Sequence, residues 1–202
     1  QDGLVLAGTS EQAIGALHKG HTFGEEELPV RFAGFSSCFR REAGSYGRDV
    51  HGILRVHQFD KVELFSFCHP QRSVEEHARF VTVQKKLMHN LGLMTRVVDM
   101  CTGDMGFSAA AQVDLDTWFP SRRAFVETHS ASNTTDFQTR RLQTRFRSRD
   151  GKLRLVHAVN GTAYAIQRVV AAIIETHQTA EGNVRIPEVL RAFFGGRDLI
   201  RP

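Results

Sequence analysis

FRREAGSYGRDVHGILRVHQFDKVELFSF, Phe39 to Phe67, is the stretch whose reading decides the fold. Its two apolar-bearing arms, Phe39 to Ala43 and Ile53 to Phe67, flank a loop rich in Gly, Ser, Arg and Asp. Gly44, Gly47 and Gly52 permit tight turns there, so the stretch predicts a β-hairpin. Both arms carry charge at alternate positions, Arg40 and Glu42 in the first, Lys61 and Glu63 in the second. Residues two apart in a strand share a face, so one face would present two acids and two bases. Exposed cross-strand ion pairs contribute only about 0.2–1 kcal/mol each, and most charged faces are simply wet. Here, however, His57, Gln58 and Phe59 are interleaved with the charges. A planar ring beside cations and acids suits a ligand with an aromatic base and phosphates.

Outward from the hairpin, Leu4 to Gly8 is a short apolar run, and Thr9-Ser10-Glu11 reads as the cap of a helix that Gln12 to Leu17 begins. Glu25 to Pro29 is an acidic surface turn. On the other side, Ser73-Val74-Glu75-Glu76 fits a capping box, with a helix over Val74 to Leu91 stopped by Gly92. Met94 to Met100, Ala110 to Trp118 and Phe125 to Ser132 read as strands, with Asp114 and Asp116 on one face of the second. Asp150-Gly151 turns a hairpin between Arg145–Arg147 and Leu153–Val159. Asn160-Gly161-Thr162 is expected to open a helix with an apolar stripe of Ala163, Ile166, Val169, Val170, Ile173 and Ile174, and a last short helix runs from Pro187 to about Phe194. Strands dominate the middle, helices flank them and no βαβ repeat is visible. The expectation is an α+β domain with a mainly antiparallel sheet backed by helices.

With 202 residues, 41% hydrophobic and 24% charged, the chain can bury one good core and belongs among ordinary soluble globular proteins. No apolar run reaches the roughly 18 residues that span a bilayer, so no membrane role is expected. The net charge of +4 suits a polyanionic partner without diagnosing one. Cys38, Cys68 and Cys101 have no CxxC spacing, which predicts reduced thiols in a cytoplasmic setting and no structural zinc. GxxxxGK[ST] and GxGxxG patterns are absent, so a nucleotide would be held without a P-loop or a dinucleotide-binding turn.

Six segments in order carry a resemblance: GTSE (Gly8 to Glu11), the FRREAGSYGRD that opens the hairpin, RVHQFDKVEL (Arg55 to Leu64), TGDMGFSAA (Thr102 to Ala110), ASNTTDFQTRR (Ala131 to Arg141) and NGT leading to Arg168. Together they resemble the C-terminal part of the catalytic domain of seryl-tRNA synthetases, a branch of the class II aminoacyl-tRNA synthetases. The resemblance implies a single catalytic domain fragment over residues 1–202, without the family's N-terminal tRNA-binding coiled-coil arm or the upstream segment of its dimer interface. It implies ATP-dependent activation of serine to seryl-adenylate and transfer to tRNA(Ser), a homodimer in the full-length protein, and poor charging of tRNA by this chain alone. Arg40 and Arg168 would be catalytic. ATP would be bound by Arg40, Arg41, Glu42, Val56, Phe59, Glu127, Thr128, His129, Ser130 and Arg168. Within that set Arg40 would hold the α-phosphate, Glu42 the adenine amino group, and Phe59 and Arg168 the two faces of the base. Glu127 and Ser130 would hold Mg²⁺, whose preference for hard oxygens they satisfy. Serine would be read by Thr9, Ser10, Glu11, Arg40, Glu63, Asn160 and Thr162. Two alternatives stay open: a synthetase-like ligase that passes an amino acid to a carrier protein, and a non-catalytic regulatory or binding paralogue.

Overall fold

A computed structural model describes residues 3–42 and 52–202. The helices are α1 (Ser10–Leu17), α2 (Ser73–Asn90), α3 (Phe137–Leu142) and α4 (Ile166–His177). The strands are β1 (Thr22–Gly24), β2 (Val30–Phe39), β3 (Gln58–Cys68), β4 (Thr95–Asp99), β5 (Ala111–Phe119), β6 (Ala124–Thr135), β7 (Arg145–Arg147), β8 (Leu153–Leu155), β9 (His157–Ala165), β10 (Val184–Arg185) and β11 (Leu199–Ile200). A six-stranded antiparallel sheet, β2-β3-β9-β6-β5-β4, forms the body. A small sheet β1-β7-β8 and the hairpin β10-β11 complete the strands. The α+β reading is therefore correct.

Alternation along β3 shows how the sheet builds two layers. Leu64 and Cys68 pack with Phe80 and Val81 of α2 on one face, while Phe65 and Phe67 pack with Ile14 of α1, Phe23 and Phe146 on the other. A third cluster joins Met88 of α2 and Val169 and Ala172 of α4 to Leu115, Phe119 and Val126 of the sheet. Helices α2 and α4 thus share one face, and α1 with the small sheet covers part of the other. The rest of that second face is left for polar residues. Helix α1 reaches it only because residue 34 is glycine: a Cβ there would lie 2.8 Å from Ile14 Cδ1 and 2.9 Å from Ser10 Oγ.

The central hairpin exists, but its arms differ from the expectation. Strand β2 lies upstream, pairing Val30 with Phe67 through to Phe39 with Gln58, because Val30, Phe32 and Cys38 already supply an inward-facing row. Arg40 and Glu42 fall just past the strand, where Arg40 N donates to His57 O at 2.9 Å and Glu42 adopts φ 53°. They are not ladder partners of Lys61 and Glu63, which face Ser36 and Gly34. Ala43, Gly44 and Gly47 of the expected arm and loop lie outside the described residues.

Other expectations are corrected by what each residue packs against. The capping box at Ser73 does not form: Ser73 Oγ donates to Pro70 O, and Glu76 instead takes a bidentate contact from Arg31. Residues 160–165 are strand, not helix. They lie in β9, which is hydrogen-bonded to β3 on one side and β6 on the other, and central pairing outweighs the local apolar periodicity. The helix begins only at Ile166, and Val169 and Ala172 keep its buried stripe. The predicted arm from Leu153 to Val159 divides, its first part pairing with β7 and the rest entering the main sheet. The helix expected over Val74 to Leu91 is present as Ser73–Asn90, and the strands at β4 to β6 and the turn at Asp150-Gly151 are present too. So is the final short helical segment, a 3-10 helix over Glu188–Phe194.

Candidate active site

The polar residues of the second sheet face converge where the main sheet divides. Strands β6 and β9 pair from Thr135 with Ala158 up to Ala131 with Gly161, and no further pair joins them beyond that point. Strand β3 continues with β9 to Lys61 and Ala165, and β5 continues with β6 to Phe119 and Ala124. The sheet therefore forks. Each side of the fork carries a β-bulge. Asp114 pairs with Ser130, Leu115 with His129 and Asp116 with Glu127, which leaves Thr128 as the extra residue in β6. In β9, Glu63 pairs with Thr162 and Val62 with Tyr164, which leaves Ala163 extra. A bulge reverses the alternation. Glu127 and Ser130, three apart in sequence, consequently share the face of Asp114 and Asp116, and Thr162 shares a face with Ala165.

A pocket of about 220 Å³ opens on this face, lined by Arg40, Glu42, Leu54, Arg55, Val56, Phe59, Lys61, Glu127, Thr128, Thr162, Ala165, Gln167 and Arg168. Its lining is dominated by charge around one aromatic ring. The Arg40 guanidinium lies 5.2 Å from the centre of the Phe59 ring, and Arg40 Nε donates to Gly8 O at 3.4 Å. Opposite, Arg168 from the first turn of α4 donates from Nη1 to Glu127 O at 2.6 Å and from Nε to Leu54 O at 3.2 Å. Its Nη1 also lies 3.5 Å from Glu127 Oε1. Glu42 meets Arg55 at 2.6 Å. Two fixed guanidinium groups and a ring at one opening are a fit for a planar base joined to a chain of phosphates.

The Glu127 side chain keeps 53% of its exposure, yet it stands on a concave floor. Lost hydration pushes its carboxyl above the ordinary range, Arg168 pulls it back, and Asp114 and Asp116 push it up again. A carboxylate crowded by other carboxylates and open to the pocket is chemically suited to a hard cation. Ser130 lies on the same face, beyond the pocket lining. Among the described residues no group of three or more His, Cys, Asp or Glu side chains forms a closed metal cage, so any cation here would draw most of its ligands from phosphate and water.

Deeper in, Lys61 and Glu63 form an ion pair, 6% and 2% exposed. Burial raises the Glu63 carboxyl, and the Lys61 ammonium opposes that rise. Glu63 Oε2 is the oxygen that meets the Lys61 ammonium. Thr162 stands directly across the ladder from Glu63. Glu11 lies close by: its Oε1 accepts from Gln138 Nε2 at 2.5 Å and from Asn160 Nδ2 at 3.1 Å. Thr9 caps α1, its Oγ1 accepting from Glu11 N at 3.2 Å, which fixes where the Glu11 side chain starts. Acceptors gathered this way around a small space suit an ammonium and a hydroxyl.

Most of the predicted site residues are thus brought together, in two adjoining groups. Three are not, and each is a correction. Ser10 is 6% exposed and donates to Gly34 O at 2.9 Å, so its hydroxyl ties α1 to β2. Arg41 is outside the pocket lining and lies with Leu4, Val5, Leu6, Phe39, Arg40 and His57 around a shallow groove that adjoins the pocket at Arg40. His129 points to the helix-covered face, where Nε2 donates to Ala163 O at 2.9 Å and Nδ1 accepts from Thr128 Oγ1 at 2.8 Å. Burial lowers its pKa to about 4, so it stays neutral. Arg55 and Gln138 are absent from the expected site set, and Lys61, expected only on the charged hairpin face, joins them. Lys61 alternates with Phe59 and Glu63 and could have been included from spacing alone. Gln138 carries no local signal.

The family model of the class II tRNA synthetase core domain (G, H, P, S and T) matches residues 1–177. The chain belongs to that family. Among curated relatives, the serine–tRNA ligase of Clavibacter michiganensis subsp. michiganensis is 47% identical over 201 residues, covering 100% of this chain and 47% of the relative. The serine–tRNA ligase of Streptomyces coelicolor is 46% identical over 202 residues, again covering 47% of its length. The crystal structure of seryl-tRNA synthetase from Pyrococcus horikoshii complexed with ATP superposes with a TM-score of 0.92 at 44% identity, covering 97% of this chain and 44% of that one. The cytoplasmic enzyme of Naegleria fowleri in complex with AMP gives 0.90 at 39%, covering 96% and 46%. This synthetase core chain thus spans about half the length of the relatives it matches. The resemblance seen in the six sequence segments is to the same serine-specific branch. Among the described residues, no helix is long and apolar enough to cross a membrane.

Proposed function

We propose that this chain is the catalytic core of a cytoplasmic serine–tRNA ligase, which joins serine to ATP as seryl-adenylate and passes the seryl group to tRNA(Ser). The observation that carries the reading is the adjacency of two sites on one sheet face: a ring and two arginines lining one pocket, and a buried acceptor set joined to it through Lys61 and Glu63. In this reading Phe59 supports the adenine, Glu42 and Val56 border it, and Arg168 closes over it. Arg40 sits where it can neutralise both the serine carboxylate and the α-phosphate. The carboxylate oxygen attacks phosphorus, the bond to the β-phosphate oxygen breaks, and pyrophosphate leaves. Little proton transfer is needed, so the protein contributes chiefly alignment and charge neutralisation. Glu127 and Ser130 would hold Mg²⁺, which supplies charge neutralisation on the phosphates. Serine would offer its ammonium and hydroxyl to Glu11, Glu63 and Thr162, and an amino acid lacking the hydroxyl would leave buried acceptors unpaired. Transfer to tRNA and homodimer formation belong to the full-length protein in this reading.

Amino-acid-dependent exchange of labelled pyrophosphate into ATP tests it. The full-length protein should exchange with serine and at least about a hundredfold less with alanine or glycine, as loss of a buried hydroxyl partner implies. Equal exchange with glycine and serine would sink the assignment.

A further inference from the structure

The fork between β6 and β9 is held at a fixed width by a residue that touches neither ligand site. Beyond Ala131 and Gly161 the ladder stops, and the next two carbonyls, Ser130 O and Thr162 O, have no partner strand. Gln84, from the middle of α2 and 0% exposed, puts its amide nitrogen between them. Nε2 donates to Ser130 O at 2.9 Å and to Thr162 O at 2.8 Å. Room for that amide exists because residue 161 is glycine: a Cβ there would lie 3.1 Å from both Gln84 Nε2 and Ser130 O. Gln84 Oε1 accepts nothing from the described residues. A buried orphan acceptor is a cost that an unbranched apolar side chain would avoid, and such local conflicts concentrate where function demands them.

The two carbonyls belong to residues with different tasks. Ser130 follows the bulge that carries Glu127 on the phosphate side, and Thr162 faces Glu63 on the amino-acid side. We propose that Gln84 is a positioning residue for the activation step, a clamp that sets the distance between the phosphate-side edge carrying Glu127 and Ser130 and the β3–β9 side carrying Phe59 and Glu63. The proposal rests on the serine-activating function argued above. Phe59, Glu63 and Thr162 stand on the β3–β9 side and Glu127 and Ser130 on the β5–β6 side, so adenine and serine can each bind when the clamp is lost. Only the placing of the phosphate-side groups against them suffers, and misplacement by about 1 Å can cost about a hundredfold in rate.

Gln84→Met keeps length and volume and removes both donors, and Gln84→Glu keeps shape. In the full-length protein, either variant should lower kcat of serine-dependent pyrophosphate exchange about ten- to a hundredfold, with KM for ATP and for serine each moving less than about threefold. Amide hydrogen exchange in residues 130–133 and 160–163 should speed up at least about tenfold, with α4 and β2 unaffected. An unchanged kcat, a change confined to KM, or unaltered amide exchange overturns the clamp. Failure of both variants to fold overturns it too, since that would make Gln84 a general core residue. A wild-type protein that shows no exchange with serine refutes the function itself, while the amide-exchange comparison still decides whether Gln84 holds the fork.

Discussion

Replacing Lys61 by methionine isolates the most strained electrostatic feature of the site. Lys61 and Glu63 are 6% and 2% exposed, so the substitution leaves a carboxylate buried without its counter-ion. Removing one partner of a buried pair costs about 3–5 kcal/mol. For a chain of this length each kcal/mol moves Tm by about 2–4 °C, giving a fall of about 6–20 °C at pH 7. The sign of the pH dependence follows from the direction of the shift. Burial already raises the Glu63 carboxyl above its ordinary value of 4.5, and losing Lys61 raises it further. The native variant then binds more protons than the unfolded chain between 4.5 and its raised pKa. Its stability falls as pH rises through that window, by at most about 1.4 kcal/mol per pH unit. Urea unfolding followed by Trp118 fluorescence should therefore show a larger penalty at pH 7 than at pH 5. Lys61→Met combined with Glu63→Gln should regain most of the loss at pH 7. A penalty independent of pH, or a double variant no better than the single one, would refute the reasoning.

Three further outcomes follow from the same geometry. Arg40→Ala should abolish serine-dependent pyrophosphate exchange while Lys86→Ala, on the exposed face of α2, leaves it nearly unchanged; equal effects would show the site is misplaced. Gly34→Ala should destabilise the chain by about 1–3 kcal/mol in urea unfolding, because its new methyl meets Ile14 and Ser10 at under 3 Å, and a neutral result would mean α1 can shift freely. Glu127→Gln should raise the Mg²⁺ concentration needed for half-maximal exchange, and an unchanged Mg²⁺ titration would remove Glu127 from the cation's surroundings.

The sequence made much of this legible, for identifiable reasons. Alternation in β3 put Phe59, Lys61 and Glu63 on one face, and a period of two survives any change in the neighbouring loop. The helix at α2 was equally plain from its periodicity and its stop at Gly92. What misled was local pattern without its partners. Residues 160–165 have helical spacing on paper, but β3 claims their backbone as far as Ala165 and β6 that of the first two. Ser73 and Glu76 have the letters of a capping box, but Arg31 from β2 offers Glu76 a stronger, charged partner. The resemblance implied His129 beside ATP, but the bulge at Thr128, which turns it to the other face, depends on pairing register with β5 and leaves no mark in the sequence. The fork itself is likewise a property of four strands and one helix residue.

The central claim is that one pocket holds adenosine phosphate and serine side by side, and binding of a stable seryl-adenylate mimic, with the phosphoryl group replaced by a sulfamoyl link, tests it most directly. By isothermal titration of the full-length protein, the account predicts affinity at least about a hundredfold above that for ATP or serine alone, as linking two adjoining ligands allows. It also predicts competition with both, and loss of the gain in Glu63→Gln or Arg40→Ala. A mimic that binds no tighter than ATP alone, or that is displaced by ATP but not by serine, would contradict the account.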